Sequence, residues 1–221
     1  MPLYSASAHG LVKPSWASAY EDHEGGIWFA SPNTGLWHLA ANWQQFAVLS
    51  HRSAEPESIG NPYVRATARS ADGSVWLTGT RGVLDRLDPA TGRVEHRLQA
   101  IDGLKWPSSL LEDRRGRVWI GLYQGLVRYD PATHAVLRWH EDTVADAALS
   151  DEAEMIRQTA DGHLWLYSNV DGFQVRDEDG HVLRNLPHDA HGLTRDLRIN
   201  DMRAGPDGVL WLATSRGLLR W

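Results

Sequence analysis

Cysteine is absent from the 221-residue sequence, which removes disulfides and thiolate metal sites from consideration and fits either side of a membrane. No apolar run approaches the ~18 to 20 residues that a bilayer-crossing helix needs. The opening, MPLYSASAHGLVKPSW, has neither the basic n-region nor the apolar h-region of a secretory signal. Lys and Arg form no cluster and the formal charge is -6, a balance that argues against a nucleic-acid groove. G-x-S-x-G, H-E-x-x-H, G-x-G-x-x-G and phosphate-loop patterns are all missing, so no catalytic residue, cofactor or metal centre is expected. With 42% hydrophobic and 23% charged residues the chain should nonetheless fold as a globular protein. Its excess is in tryptophan, of which there are 11.

Five of these tryptophans share one local frame: GGIWFAS at Trp28, GSVWLTG at Trp76, GRVWIGL at Trp119, GHLWLYS at Trp165 and GVLWLAT at Trp211. They lie 48, 43, 46 and 46 residues apart, and six or seven residues after each comes a Gly followed by an apolar residue. This is a repeat protein. The continuous apolar runs around each Trp predict a strand buried on both faces. A turn stands before each run, at Glu24-Gly25-Gly26, Asp72-Gly73, Arg115-Gly116, Asp161-Gly162 and Asp207-Gly208. A second hairpin follows in LDRLDPATGRVEHRL, LVRYDPATHAVLRWH and FQVRDEDGHVLRNL, and a shorter strand precedes each turn. Four antiparallel strands per ~40 to 45 residues describe a β-propeller blade, so the expected fold is all-β. The repeats run over about 14–50, 62–99, 106–141, 152–187 and 197–221, within one propeller region spanning 1–221.

The frame Asp-x-x-Gly-x-apolar-Trp-apolar-Gly/Ala-Thr-x-x-Gly-Leu-x-Arg-Tyr-Asp-Pro-x-Thr resembles the two-component regulator propeller repeat, with EDRRGRVWIGLYQGLVRYDPATH at 112–134 as its best copy. The resemblance implies a periplasmic sensor propeller, usually seven-bladed, whose full-length protein carries a membrane span and a histidine kinase or diguanylate cyclase as output. Five repeats are fewer than that ring, and the fifth stops one strand short. Two architectures follow: an incomplete part of a seven-bladed ring, which fits the resemblance better, or a five-bladed ring closed by a strand around Pro2 to Ala8.

In a propeller the loops between second and third strands collect at one rim, where ligands bind. These loops put forward Asn33, Arg81, Tyr123, Gln124, Asn169, Asp171 and Arg216 as ligand-binding candidates, and the connection before the third repeat adds Trp106. Aromatic faces and guanidinium forks suit a carbohydrate or a carboxylate. Arginines paired with surface acids and a Trp packed under a blade are the structural alternative. His188 and His191 lack a third metal ligand, and Asp177 to Gly180 aligns with hairpin turns of other repeats rather than with a calcium loop. The expected function is non-enzymatic ligand sensing. A propeller enzyme of the streptogramin-lyase type and a protein–protein platform are the alternatives.

Overall fold

The computed structural model describes residues 5–7, 10–12, 15–33, 35–39, 41, 49–52, 54–56, 58–98, 106–142, 145–189, 194, 196–206 and 208–221. The strand expected over WQQFAVL (its last residue, Leu49, excepted), Thr34 of the first rim loop, His191 and Asp207 lie outside these residues. The chain is all-β, a propeller built of antiparallel blade sheets, and divides into two compact units, 1–48 and 49–221.

Unit 1–48 holds a hairpin of β1 (Ser5–Ser7) and β2 (Gly10–Val12) and a three-stranded sheet of β3 (Ser18–Glu21), β4 (Ile27–Ser31) and β5 (Gly35–Leu39). Ser5–Ser7, which the closed-ring architecture assigns to the last blade, pairs here with Gly10–Val12. The β3–β4 turn is closed by its own side chain. Asp22 accepts the N–H groups of Glu24 and Gly26 on one oxygen and the Trp28 indole N–H on the other, at 2.8 Å.

Unit 49–221 contains four sheets, each a meander in sequence order. The first is β6 (Val64–Arg69), β7 (Val75–Gly79), β8 (Leu84–Leu87) and β9 (Val94–Leu98). The second is β10 (Ser109–Glu112), β11 (Val118–Leu122), β12 (Gly125–Tyr129) and β13 (Val136–His140). The third is β14 (Met155–Gln158), β15 (Leu164–Ser168), β16 (Gly172–Arg176) and β17 (Val182–Leu186). The last comprises β18 (Ile199–Ala204), β19 (Leu210–Thr214) and β20 (Gly217–Arg220), three strands among the described residues. First strands meet first strands: β6 packs on β10, β10 on β14 and β14 on β18. The left-handed φ of +91° at Gly73 shows why the hairpin before each Trp strand uses glycine.

The Trp strands β7, β11 and β15 are buried as their apolar runs predict, every residue of β11 among them, whereas β4 is only partly covered, β19 alternates and the outer strands β13 and β17 face water. Trp76, Trp119 and Trp165 each pack against the sheet that follows. Trp76 lies among Leu110, Val118, Ile120 and Tyr129, and Trp119 among Ile156, Leu164 and Leu166. Equivalent position does not give equivalent burial, however. Trp211 is 39% exposed, because no further sheet among the described residues of unit 49–221 covers the face of β19 that carries it. Two residues after the Trp, Gly121 meets the incoming third blade so closely that a Cβ would stand 2.5 Å from the Ala153 carbonyl. At the equivalent place in the third sheet Tyr167 is tolerated, its ring filling the space beside Phe173 at 4.9 Å and the Leu197–Ile199 edge.

Polar anchors fix the connections between sheets. Asp85, buried in β8, accepts the Gly60 N–H at 2.7 Å and the His96 Nδ1 at 2.6 Å, while His96 Nε2 lies 2.7 Å from the Pro56 carbonyl. Both partners of the His96 ring are acceptors, so the pair favours the protonated ring, in which both nitrogens donate. The Asp85 hydrogen bond holds its pKa above the ordinary 6.5. A raised histidine pKa stabilises the fold fully below the unfolded value and loses that contribution as pH rises through the folded value. The stability difference between wild type and His96→Gln should therefore be largest near pH 5.5 and shrink above neutrality. Urea titrations across that range check it, and a difference independent of pH refutes the clamp.

Candidate functional site

Where β6, β10 and β14 begin, three sheets converge on one recess. Arg65 enters it from a β-bulge: the β6–β7 register skips from Val64↔Gly79 to Ala66↔Thr78, leaving Arg65 outside the ladder. Such a bulge re-aims a side chain. Arg65 Nε donates to the Pro107 carbonyl at 3.0 Å and Nη2 to Glu152 Oε1 at 2.8 Å, so one guanidinium spans three blades. Its carbon lies 5.5 Å from the centroid of the Trp106 ring, a cation–π distance.

Trp106 stands just before β10 with a left-handed φ of +56° and a side chain 59% exposed. Tyr123 is half exposed at the tip of the β11–β12 turn and bridges to Glu152 through the backbone. Arg65, Trp106, Tyr123 and Glu152 line an open recess of about 330 Å³. Glu152 is the one acid in that lining. Asp151 and Glu154 flank Glu152 in sequence, and the Glu154 carboxyl is pushed up by burial and, secondarily, by the charges of Glu152 and Asp151.

The other candidates separate by role. Gln124, at φ +54°, donates its N–H to the Asp151 carbonyl at 3.3 Å. Asp171 accepts the Ser150 hydroxyl at 2.5 Å and the Asp151 N–H at 3.0 Å, so both residues position the segment that presents Glu152. The Asn169 carbonyl accepts from His188 Nε2 at 2.9 Å. Arg81 leans on His51 Nε2 at 3.0 Å, and Arg216 is salt-bridged to Asp196. Neither arginine lines the recess. Asn33 accepts the Ser15 N–H and the Ser31 hydroxyl within unit 1–48.

The recess thus brings the sequence candidates Trp106 and Tyr123 together with Arg65 and Glu152, which the repeat pattern does not single out. The acidic run DEAE at 151–154 was the available signal for Glu152. The bulge that aims Arg65 leaves no mark in the hydrophobic pattern. A larger groove beside the β8–β9 turn is a weaker candidate, because no aromatic ring lines it and two of its arginines are paired, Arg86 with Asp72 and Arg97 with Glu95. Asp177 caps its own turn, accepting the N–H groups of Asp179, Gly180 and His181, as a hairpin does. Among the described residues no group of three or more His, Asp or Glu is placed to hold a metal ion, and no helix is long and apolar enough to cross a membrane.

No family model and no curated protein matches the chain. Among solved structures it is similar to the extracellular domain of the putative one-component system BT4673 from B. thetaiotaomicron, with TM-score 0.60 and 18% identity over 98% of this chain and 28% of that one. A second structure of that extracellular domain, described as belonging to a putative hybrid two-component system, gives TM-score 0.59 and 18% identity over 92% and 27%. YCF48 bound to D1 peptide gives 0.54 and 16% over 94% and 63%. The chain therefore spans under a third of the two extracellular-domain structures, and at these identities the likeness is one of fold.

Proposed function

We propose that this chain is the ligand-reading part of an extracytoplasmic sensor: a non-enzymatic β-propeller of periplasmic location whose output kinase or diguanylate cyclase belongs to a longer protein. The observation that carries the reading is the recess of Arg65, Trp106, Tyr123 and Glu152. There, side chains from three blades meet around two exposed aromatic rings, so that an occupant touches several blades at once. The repeat frame and the fold shared with sensor ectodomains support it. A small polar ligand fits the recess better than a protein partner, since a platform calls for a broad apolar patch and this surface is small, concave and charged.

Calorimetric titration with a panel of sugars, carboxylates and amines tests the reading. At least one class should bind wild type, and Trp106→Ala should weaken that binding by roughly tenfold or more, the loss of one desolvated aromatic contact. Absence of any Trp106-dependent binding would sink it.

A further inference from the structure

The recess already holds a guest of its own. The Arg65 guanidinium rests over the Trp106 ring at 5.5 Å and pairs with Glu152 at 2.8 Å, so an aromatic face and a carboxylate together hold a cation. It does so on weak terms. The two charged side chains are 34% and 31% exposed, a setting in which an ion pair adds little. Arg65 is also anchored at a bulge rather than within the ladder, and its Nη1 has no hydrogen-bond partner among the described residues. With Arg65 swung aside, the lining that remains is two aromatic rings and the Glu152 carboxylate. That remainder is negative and aromatic, which suits a positive ligand and opposes an anion.

We propose that this recess binds a small organic cation through a protonated amine or guanidinium group, and that Arg65 is the internal stand-in the ligand displaces. The proposal rests on the ligand-reading role of the recess and adds the ligand's charge to it. Displacement also gives the signal a physical form. Arg65 ties the first blade of unit 49–221 to the third across Pro107 of the second, and a ligand that takes Glu152 unties them.

The test titrates agmatine, which carries both cationic groups, with glucose and butyrate as neutral and anionic counterparts, into wild type, Arg65→Gln, Glu152→Gln and Trp106→Ala, each checked for native near-UV circular dichroism. Agmatine should bind wild type, and Arg65→Gln should tighten it roughly tenfold by removing the competitor. Glu152→Gln should weaken it by a similar factor, which keeps the proposal testable even if Arg65→Gln does not fold. Loss of agmatine binding in a folded Arg65→Gln overturns the proposal, because Arg65 would then be a recognition group. Trp106-dependent binding of glucose or butyrate without agmatine overturns the cation and leaves the ligand site standing. If none of the three binds with dependence on Trp106, the cation proposal fails, and if the wider panel is also silent the site reading fails with it.

Discussion

Replacing Trp119 with alanine should remove about 3 to 5 kcal/mol of unfolding free energy. The indole is wholly buried, stacks on Trp139 at 5.5 Å, and donates its N–H to Asp113 Oδ2 at 2.8 Å. Arg117 and Arg128 approach its faces at 5.9 and 5.4 Å. Deletion forfeits the transfer energy, opens a void against the third blade and leaves Asp113 with one donor fewer. Trp211→Ala, at the same place in the repeat, should cost clearly less, about 2 kcal/mol, because that ring is already partly in water and leaves no enclosed void. Urea denaturation of the two variants decides the matter. Equal losses would show that the tryptophans act through something other than contact with the following blade.

Arg176→Met should be nearly as damaging. The guanidinium is fully buried in β16 and donates to Gln174 Oε1 and to the carbonyls of Gly180, Asp146 and Ala147, at 2.6 to 2.9 Å. Burial pushes its pKa down to about 10, so it is still charged at neutral pH. Methionine fills some of the volume but strands several buried acceptors, and breaking such a network costs roughly 3 to 5 kcal/mol. Lysine keeps the charge and should rescue little, since a single ammonium cannot reproduce a planar fork that serves four acceptors. Thermal melts of Arg176→Met and Arg176→Lys check this. A lysine variant as stable as wild type would mean that charge alone, not the fork, holds the 146–147 segment to the third blade.

The fold was legible because a repeat states its rules five times. Apolar runs around each Trp, glycine turns before them and Asp-Pro hairpins after them determine local geometry, and local geometry is nearly all a meander needs. The site was legible only in part. Trp106 and Tyr123 stood out as large aromatics in connecting segments, but Arg65 acts through a bulge, and Glu152 through a partner 87 residues away. Arg81 and Arg216 sit in rim loops as the repeat frame implies, but their partners, His51 and Asp196, come from segments that the frame does not align with them. The Asp85–His96–Pro56 clamp is invisible for the same reason: it joins three places in the chain through pairings that periodicity does not encode.

Every ladder in the five blade sheets joins strands that are consecutive in sequence, and β18, β19 and β20 meet through turns of only a few residues. The entropy lost in closing such short loops is small, and each hairpin can form within microseconds without waiting for the rest of the chain. Contacts between blades, some 45 residues apart in this repeat, come afterwards. Within unit 49–221 the order of synthesis is then also an order of assembly: each blade can zip up as it leaves the ribosome, with β10 docking on β6, β14 on β10 and β18 on β14.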